Sequence, residues 1–377
     1  MQKNLKSSAI RKDAIIICVF LFLCAIIFSL DIAHVSPVQK GEKVKAEVVE
    51  TDNSSMVNIG LVLQGEQRLK VKVLQGRFEG KTFDAVNLLR SQMELDKTFE
   101  VGDYALVAIP ENATEDTIIQ AQDHYRISWT LALFAIFTVL LVAFGGFVGA
   151  KALISFVFSC AVIWKLVVPL CLAGENAILI CFIAVMILSA VIIFLVAGFT
   201  QKGISAFCGT ILGIAASCVL GWIFTHIFKI NGAVMPYSQA LLYSGYANLS
   251  LSDLYIGAIF LSSSGAVMDL SMDVAAGMEE LKLRSPEIST KQLLESGWRI
   301  GRSVVGTMST TLLLAYTGGY LTLMMTFHAN GVEPIDFINN PHVTSEVVKT
   351  LIGSFGLVLV APFTAIVGSV IFGRKKP

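Results

Sequence analysis

The residues best suited to chemistry are two aspartates that stand one helical turn apart in a long apolar region. Asp269 and Asp273 belong to the stretch SSSGAVMDLSMDVAAGMEELK, residues 262–282, which follows the apolar run LYIGAIFL. If this region crosses a bilayer from Leu254, the two carboxylates lie about 22 and 28 Å along the helix. An ionised carboxylate at such depth costs at least about 2.5 kcal/mol to insert. Two neighbouring carboxylates repel, which favours a shared proton or a bound small cation.

The two aspartates share a helix face with other small and polar residues. Positions that recur every three or four residues form a stripe, which must point at the interior of a helix bundle or at a water-filled cavity. At one end of the stripe, three serines and a glycine can loosen the helix, since serine hydroxyls compete for backbone carbonyls. The candidate ion-, proton- or substrate-binding residues are therefore Asp269, Asp273, Ser262, Ser263, Ser264, Gly265 and Glu280.

The next hydrophobic segment supplies candidate neighbours for this stripe. It begins with Arg299 and Arg302 and contains the hydroxyl-rich run GTMSTT. Ser309 and Thr310 of this run, together with the two arginines, are expected to complete the site from a neighbouring helix. An alternative stays open from the sequence, in which Asp269 forms a structural ion pair with one of the two arginines and the other acids are interfacial.

Other chemistries are disfavoured by the residue types. Met268 and Met272 can offer thioethers to Cu(I), but methionine is a common filler of apolar helices. An intramembrane aspartyl protease needs carboxylates that face each other from separate helices, whereas these two share one helix. No GxSxG, HExxH or P-loop pattern occurs, and none of the seven cysteines forms a CxxC pair. The sequence therefore predicts no enzyme, no cofactor and no metal site.

The composition is that of an integral membrane protein. Of the 377 residues, 55% are hydrophobic and 15% are charged, which is too little charge to cover a soluble surface. No basic face interleaved with aromatic residues indicates nucleic acid. The pattern predicts a polytopic α-helical membrane protein with about eight transmembrane helices. The predicted spans are residues 14–30, 127–149, 150–171, 176–198, 203–228, 254–277, 302–327 and 345–372.

An N-terminal region precedes the main membrane domain. Residues 1–13 form a basic tail, and residues 14–30 are interpreted as an uncleaved anchor because no A-x-A site follows; a cleaved signal peptide is the alternative. Residues 38–126 alternate between apolar and polar positions, and turn signals separate the runs. This pattern favours a small all-β, OB-like barrel. Its five predicted strands are residues 43–51, 67–76, 82–89, 103–110 and 117–125.

The remaining chain, residues 127–373, is predicted to form a seven-helix membrane domain. Within it, the segment 279–300 has the spacing of an amphipathic helix that lies along the cytoplasmic interface. If both termini are cytoplasmic, 14 of the 28 Lys and Arg residues lie on the cytoplasmic side and only three near the outer span ends. The others belong to the β-domain, which carries little weight in the positive-inside rule. The β-domain is therefore predicted to be extracytoplasmic.

The stretch SSSGAVMDLSMDVAAGMEEL resembles the signature of the YibE/F-like family of multi-pass bacterial membrane proteins. The resemblance covers roughly residues 127–372. The basic-tailed anchor and the β-rich ectodomain are similar to the longer, YibE-type layout. The resemblance implies a protein of the bacterial cytoplasmic membrane, and it implies no particular substrate or reaction.

Two functions remain open from the sequence. The first is a permease or secondary transporter that couples a small ion or solute to a proton or cation bound by the aspartate pair. The second is an envelope scaffold or signalling protein whose ectodomain docks a partner. The expected partners are the lipid bilayer and either another membrane protein or further copies of the chain. A water-accessible Asp269 favours the first function, and a dry Asp269 paired with arginine favours the second.

Overall fold

The computed structural model describes residues 22–23, 25–29, 41–114 and 116–373. The chain divides into two compact units, and the division falls between Leu140 and Leu141, inside the first long helix. Most of the predicted basic tail and anchor, residues 1–13 and 14–30, lies outside the described residues.

The N-terminal unit contains a closed barrel of five strands, as the alternating sequence predicts. Strand β1 pairs with β5 on one side and with β3 on the other, which closes the sheet in the order β1-β5-β6-β4-β3. Neighbouring strands are antiparallel except β4 and β6, which are parallel. A short sixth strand, β2, pairs only with β3. The strands are Gly41–Asp52 (β1), Met56–Ile59 (β2), Val62–Val73 (β3), Thr82–Arg90 (β4), Tyr104–Pro110 (β5) and Ile119–His124 (β6).

The barrel interior is filled by alternate residues of each strand. In β3, Leu69, Val71 and Val73 are buried while their neighbours face outward, as the period of two requires. Phe83 and Ile109 are among the largest fully buried side chains of this core. The interior is thus a packed apolar core and not a channel.

Two amides close one end of this core. Gln67 and Asn87 are paired across β3 and β4, and both are fully buried. The Gln67 Nε2 donates to the Phe99 carbonyl at 2.8 Å, and the Phe99 N–H donates to the Gln67 Oε1 at 2.9 Å. The Asn87 Nδ2 donates to the Lys97 carbonyl at 2.6 Å. These bonds hold the loop between β4 and β5 against the barrel, so that the Phe99 side chain is buried as well.

The second unit consists of helices. Five helices of the described chain are long and apolar enough to cross a membrane. They are α1 (Ile127–Leu172), α2 (Ala177–Ala197), α3 (Gln201–Ile227), α5 (Leu251–Arg284) and α9 (Pro341–Gly373). The others are α4 (Ser238–Tyr243), α6 (Thr290–Gly319), α7 (Leu321–Ala329) and α8 (Pro334–Asn339). Among the described residues, five helices have the length and composition of a membrane span, compared with the predicted number of about eight.

One source of this difference is α1, which joins two predicted spans, 127–149 and 150–171, in one helical segment of 46 residues. A straight helix of that length measures about 69 Å, more than twice the hydrocarbon thickness of a bilayer. Its regularity is interrupted at Gly146, where φ is 54° and ψ is −129°. Such a conformation suits only glycine, so the break lies three residues from the predicted division. A π-helical turn follows at Ile163–Val167.

A second difference concerns α6. The amphipathic segment 279–300 and the span 302–327 were predicted as separate helices, but residues 290–319 form one helix. It begins with a capping box, in which Ser289 and Gln292 satisfy each other's backbone N–H groups. Residues 279–284 belong to the end of α5. The segment is therefore divided between the end of α5 and the start of α6, with residues 285–289 between them.

Small residues hold the helices of the bundle at close range. A Cβ atom at Gly297 of α6 would lie 2.6 Å from Met278 Sδ of α5 and 2.9 Å from Ala365 Cβ of α9. A Cβ atom at Gly213 of α3 would lie 2.9 Å from Val360 Cβ of α9. Close backbone approach through glycine is the usual way in which helices associate in membranes. In this packing, α5 contacts α2, α3, α6 and α9.

Candidate functional site

The candidate acidic stripe lies on α5, which runs without a break through the serine run. The Ser262 and Ser264 hydroxyls donate to carbonyls one turn earlier, at 2.9 and 2.8 Å, and the Ser263 hydroxyl does so at 3.4 Å. These bonds satisfy the hydroxyls within the helix. The serines do not open the helix, and the backbone carbonyls of this turn stay in the helical ladder.

The structure separates the predicted site residues into two groups. Ser263 and Ser264 are buried, and Ser263 packs against Gly353 of α9. The other group is on the exposed side of α5, and it comprises Ser262, Gly265, Asp269, Asp273 and Glu280. Ser262, Asp269, Asp273 and Glu280 thus share one exposed face of α5, while Ser263 and Ser264 belong to the packed side. We call the exposed group, from Ser262 to Glu280, the acidic stripe.

Asp269 and Asp273 have no ion pair and no hydrogen bond from a side chain anywhere in the described chain. Arg299 and Arg302 are exposed, and neither pairs with an aspartate among those residues. The described residues therefore contain no ion pair between Asp269 and either arginine, which contradicts the alternative prediction of a structural pair. By contrast, Glu280 is engaged, because Arg284 Nε donates to its Oε1 at 2.7 Å.

One contact between α6 and α5 lies at Ile300, which packs against Gly277. Val304, Thr307 and Thr311 follow Ile300 at helical spacing, and both threonines are exposed.

Ser309 lies on another row of α6 that reaches α5, because it stands seven residues, about two helical turns, before Tyr316, whose hydroxyl meets that of Ser262. Arg302 stands a further seven residues before Ser309. The Thr310 hydroxyl donates to the Gly306 carbonyl of its own helix at 3.1 Å. Ser309 is half-buried, and Thr310 is exposed.

One end of the acidic stripe is joined to α6 by a direct hydrogen bond. The Ser262 hydroxyl and the Tyr316 hydroxyl lie 2.9 Å apart, and either group can donate. Tyr316 also lies beneath the ammonium group of Lys349, whose Nζ is 5.1 Å from the ring centroid. The stripe is thereby connected to α9, a helix from which sequence reasoning drew no site residue.

A second polar cluster lies at this place, and we call it the Glu346 cluster: Glu346, Lys349, Tyr316 and Tyr320. The Glu346 side chain is 15% exposed and the Lys349 side chain is 25% exposed. Lys349 Nζ is 3.8 Å from Glu346 Oε1, and Glu346 Oε2 is buried with no hydrogen-bond partner in the described chain. Sequence reasoning missed Glu346 because it sits at the edge of a predicted span. An acid and a lysine three residues apart near that edge were the available signal.

Two cavities adjoin the Glu346 cluster. The smaller has a volume of about 260 Å³ and is lined by Glu346, Tyr316 and Tyr320, by Thr317 and Thr350, and by apolar side chains of α6 to α9. The larger has a volume of about 590 Å³ and is formed by the segment 233–239, the junction of α6 and α7, and His342. Tyr320 and Leu323 line both. The carboxylate thus lies one tyrosine away from a larger open space.

Comparison with known proteins places this chain in a family. A family model described as YibE/F-like protein matches residues 133–374. The matched region contains both the acidic stripe and the Glu346 cluster, and it excludes the β-barrel. No curated protein and no solved structure matches the chain. Since the match covers well over half of the sequence, the chain belongs to the YibE/F-like family of proteins, with several helices able to span a membrane.

Proposed function

We propose that this protein is a permease or secondary transporter that couples the movement of a solute to a proton or small cation bound at Asp269 and Asp273. One observation carries the proposal: two carboxylates stand on one exposed face of a membrane-length helix without a cationic or hydrogen-bonding partner in the described chain. In hydrocarbon such a face would be strongly unfavourable. It is stable only if water, a bound cation or another chain covers it.

Hydroxyl groups of α6 support the proposal. Tyr316 is hydrogen-bonded to Ser262 at one end of the stripe, and Thr307 and Thr311 are exposed on the row that continues from Ile300. The Thr307 and Thr311 hydroxyls donate to carbonyls of their own helix, so their lone pairs stay free to accept from water or to coordinate a cation. The remaining faces of α5 are packed, which leaves this face as the route along the helix.

The orientation belongs to the same proposal. With both termini in the cytoplasm, the cytoplasmic side carries 14 of the 28 basic residues. The β-barrel is then extracytoplasmic. Within the helical unit, the Glu280–Arg284 pair lies at the cytoplasmic end of α5.

The test is a thermal-shift measurement on the purified full chain across pH and small cations. Ligand binding to the folded state raises the melting temperature, by about 4 °C when the ligand is well above its dissociation constant. We expect Asp269→Asn to abolish the dependence on pH or on one cation. Asp253→Asn, at the first turn of the same helix, is the matched control and should retain it. An unchanged ion and pH response in Asp269→Asn would falsify the proposal.

A second function is favoured by the barrel. The strand order, closed with β4 and β6 parallel, is consistent with an OB-like barrel, and β2 stands outside the closure as an edge strand. Val57, Ile59 and Leu61 on this hairpin are 58%, 51% and 87% exposed. An exposed apolar edge strand is suited to pairing with an extended segment of another protein. The chain would then act as an envelope scaffold whose ectodomain adds a strand from an extracytoplasmic partner.

Charged substitutions on this hairpin distinguish the two functions. Ile59→Lys should abolish partner binding and the associated phenotype if the scaffold is the function, and it should leave the thermal response to ions unchanged. Thr51→Lys on β1 is a control outside the hairpin. A phenotype that survives Ile59→Lys and is lost in Asp269→Asn excludes the scaffold.

A further inference from the structure

We propose that Glu346 is a proton-binding site that communicates with the acidic stripe through Tyr316 and Ser262. This inference rests on the proposed function, because it adds a second protonation site to the same path. It differs from that function in its residues, since Glu346 lies on α9 and in another cavity.

The burial of Glu346 is the first observation. Its side chain is 15% exposed, and its Oε2 is sealed from solvent without a hydrogen-bond partner in the described chain. The 3.8 Å between its Oε1 and Lys349 Nζ is too long for a hydrogen bond. Tyr320 is the hydrogen-bonding side chain beside this carboxylate, but Oε2 has no partner among the described residues, and a half-buried carboxylate with an unbonded oxygen is poorly stabilised in its charged form. Uptake of one proton removes that charge.

The groups that face Glu346 come from three directions. Lys349 on its own helix carries a positive charge, and His342 lies one turn earlier at the larger cavity. Tyr316 and Tyr320 of α6 line the same cavity as Glu346, while α7 and α8 contribute only apolar lining residues to it. From α5, Tyr255 donates its hydroxyl proton to the Ser345 carbonyl at 2.5 Å.

This set of groups favours a proton over a metal cation. A cation at Glu346 would be repelled by the ammonium group already 3.8 Å from the carboxylate. In the part of the chain that the structure describes, no group of three or more His, Cys, Asp or Glu residues is placed to hold a metal ion. Tyrosine and serine hydroxyls both donate and accept, which is what proton transfer requires.

The arrangement gives the proton a route. Water in the larger cavity donates to Glu346 past Tyr320, so that an O–H bond forms at the carboxylate and one breaks at a hydronium ion. Release towards the stripe breaks the O–H bond at Glu346 as the Tyr316 hydroxyl accepts that proton and passes its own to the Ser262 oxygen 2.9 Å away, and Ser262 passes its proton to water. Ser262 and Asp269 are about 10 Å apart along α5, a gap that water along the exposed face of the helix can span.

Infrared difference spectroscopy of the purified full chain tests the site directly. A protonated Glu346 contributes the carbonyl stretch of a neutral carboxylic acid, and we expect this band in wild type to be lost in Glu346→Gln. Glu333→Gln is the matched control, because Glu333 is an exposed carboxylate before α8. A band unchanged in Glu346→Gln overturns the inference.

A second experiment, a proton-flux measurement, tests whether Glu346 lies on the route of the transported proton. In vesicles that contain a trapped pH-sensitive dye, Glu346→Gln and Tyr316→Phe should lower the proton flux by about a hundredfold, the typical contribution of a positioned proton-transfer group. Flux that depends on Asp269 without a Glu346 band contradicts this inference alone. A Glu346 band without any proton flux contradicts the proposed function alone. Sodium that removes the band at constant pH identifies a cation site and overturns the proton assignment.

Discussion

The barrel and the helix bundle both bury polar side chains, and they treat them differently. In the barrel, the buried amides Gln67 and Asn87 bond to each other and to the backbone of the loop that they hold. In the bundle, Glu346 Oε2 is buried without a hydrogen-bond partner among the described residues. Asn87 Oδ1 in the barrel is also buried without a partner among the described residues, but an amide oxygen is neutral, whereas an unpaired carboxylate oxygen carries charge and is far more costly to bury. We therefore assign a structural role to the buried amides of the first unit and a chemical role to Glu346 in the second unit.

The largest expected effect that tests this comparison is a loss of stability in the barrel. Gln67→Ala removes bonds to Asn87 and Phe99, so that buried donors and acceptors lose their partners, and the free energy of unfolding should fall by about 3 kcal/mol. Urea denaturation of the full chain in detergent, followed by a barrel signal, measures it. Gln64→Ala, on the exposed side of the same strand, is the matched control and should change little. Equal losses in both variants would show that the network is not structural.

The next effect tests packing in the bundle. A Cβ atom at Gly209 of α3 would collide with Thr364 of α9, so Gly209→Ala should destabilise the bundle by about 2 kcal/mol through overpacking. The measurement is the melting temperature in detergent. At Gly306 of α6 a Cβ atom meets nothing within 4 Å, so Gly306→Ala should be neutral or slightly stabilising. A bundle that accepts both substitutions equally would not be held by close glycine contacts.

The smallest effect concerns pH and the barrel loop. The backbone N–H of Arg90, with those of Gln92 and Ser91, holds the pKa of Asp96 below its ordinary value. Because the folded pKa is depressed, this contribution to stability is present above the ordinary carboxyl range and is lost as the pH falls through the folded pKa. Asp96→Asn should flatten the acid limb of barrel stability below pH about 4, the ordinary carboxyl range. An acid limb identical to that of wild type would show that Asp96 does not contribute to the pH dependence of barrel stability.

Local patterns in the sequence carried much of the fold. The period-two alternation predicted five strands at nearly their observed positions, because the two faces of each barrel strand differ in burial. The hydrophobic runs located the helices for the same kind of reason. The continuity of α6 was missed, although Ser289 and Gln292 show the spacing of a capping box and so marked a helix start at Thr290. The sequence prediction placed the helix boundaries by hydrophobicity and gave no weight to this capping signal.

For the candidate site, the helical period was sufficient to align Ser262, Asp269 and Asp273 on one face, because spacing along a single helix is a local property. Whether that face is open or packed depends on neighbouring helices. The contacts of α5 with α2, α3, α6 and α9 decided that Ser263 and Ser264 are buried and the aspartates exposed.

The sequence by itself thus determined a membrane protein of the YibE/F-like family, a β-barrel unit and an acidic face on one helix. Only the tertiary structure decided that Tyr316 meets Ser262, 54 residues away, and that Glu346 is buried beside Lys349 in the same cavity as that tyrosine. Contacts between distant segments arise from helix packing, which no local period encodes. Asp269 could be found from spacing alone, whereas Glu346 became a candidate only when α9 was packed against α5 and α6.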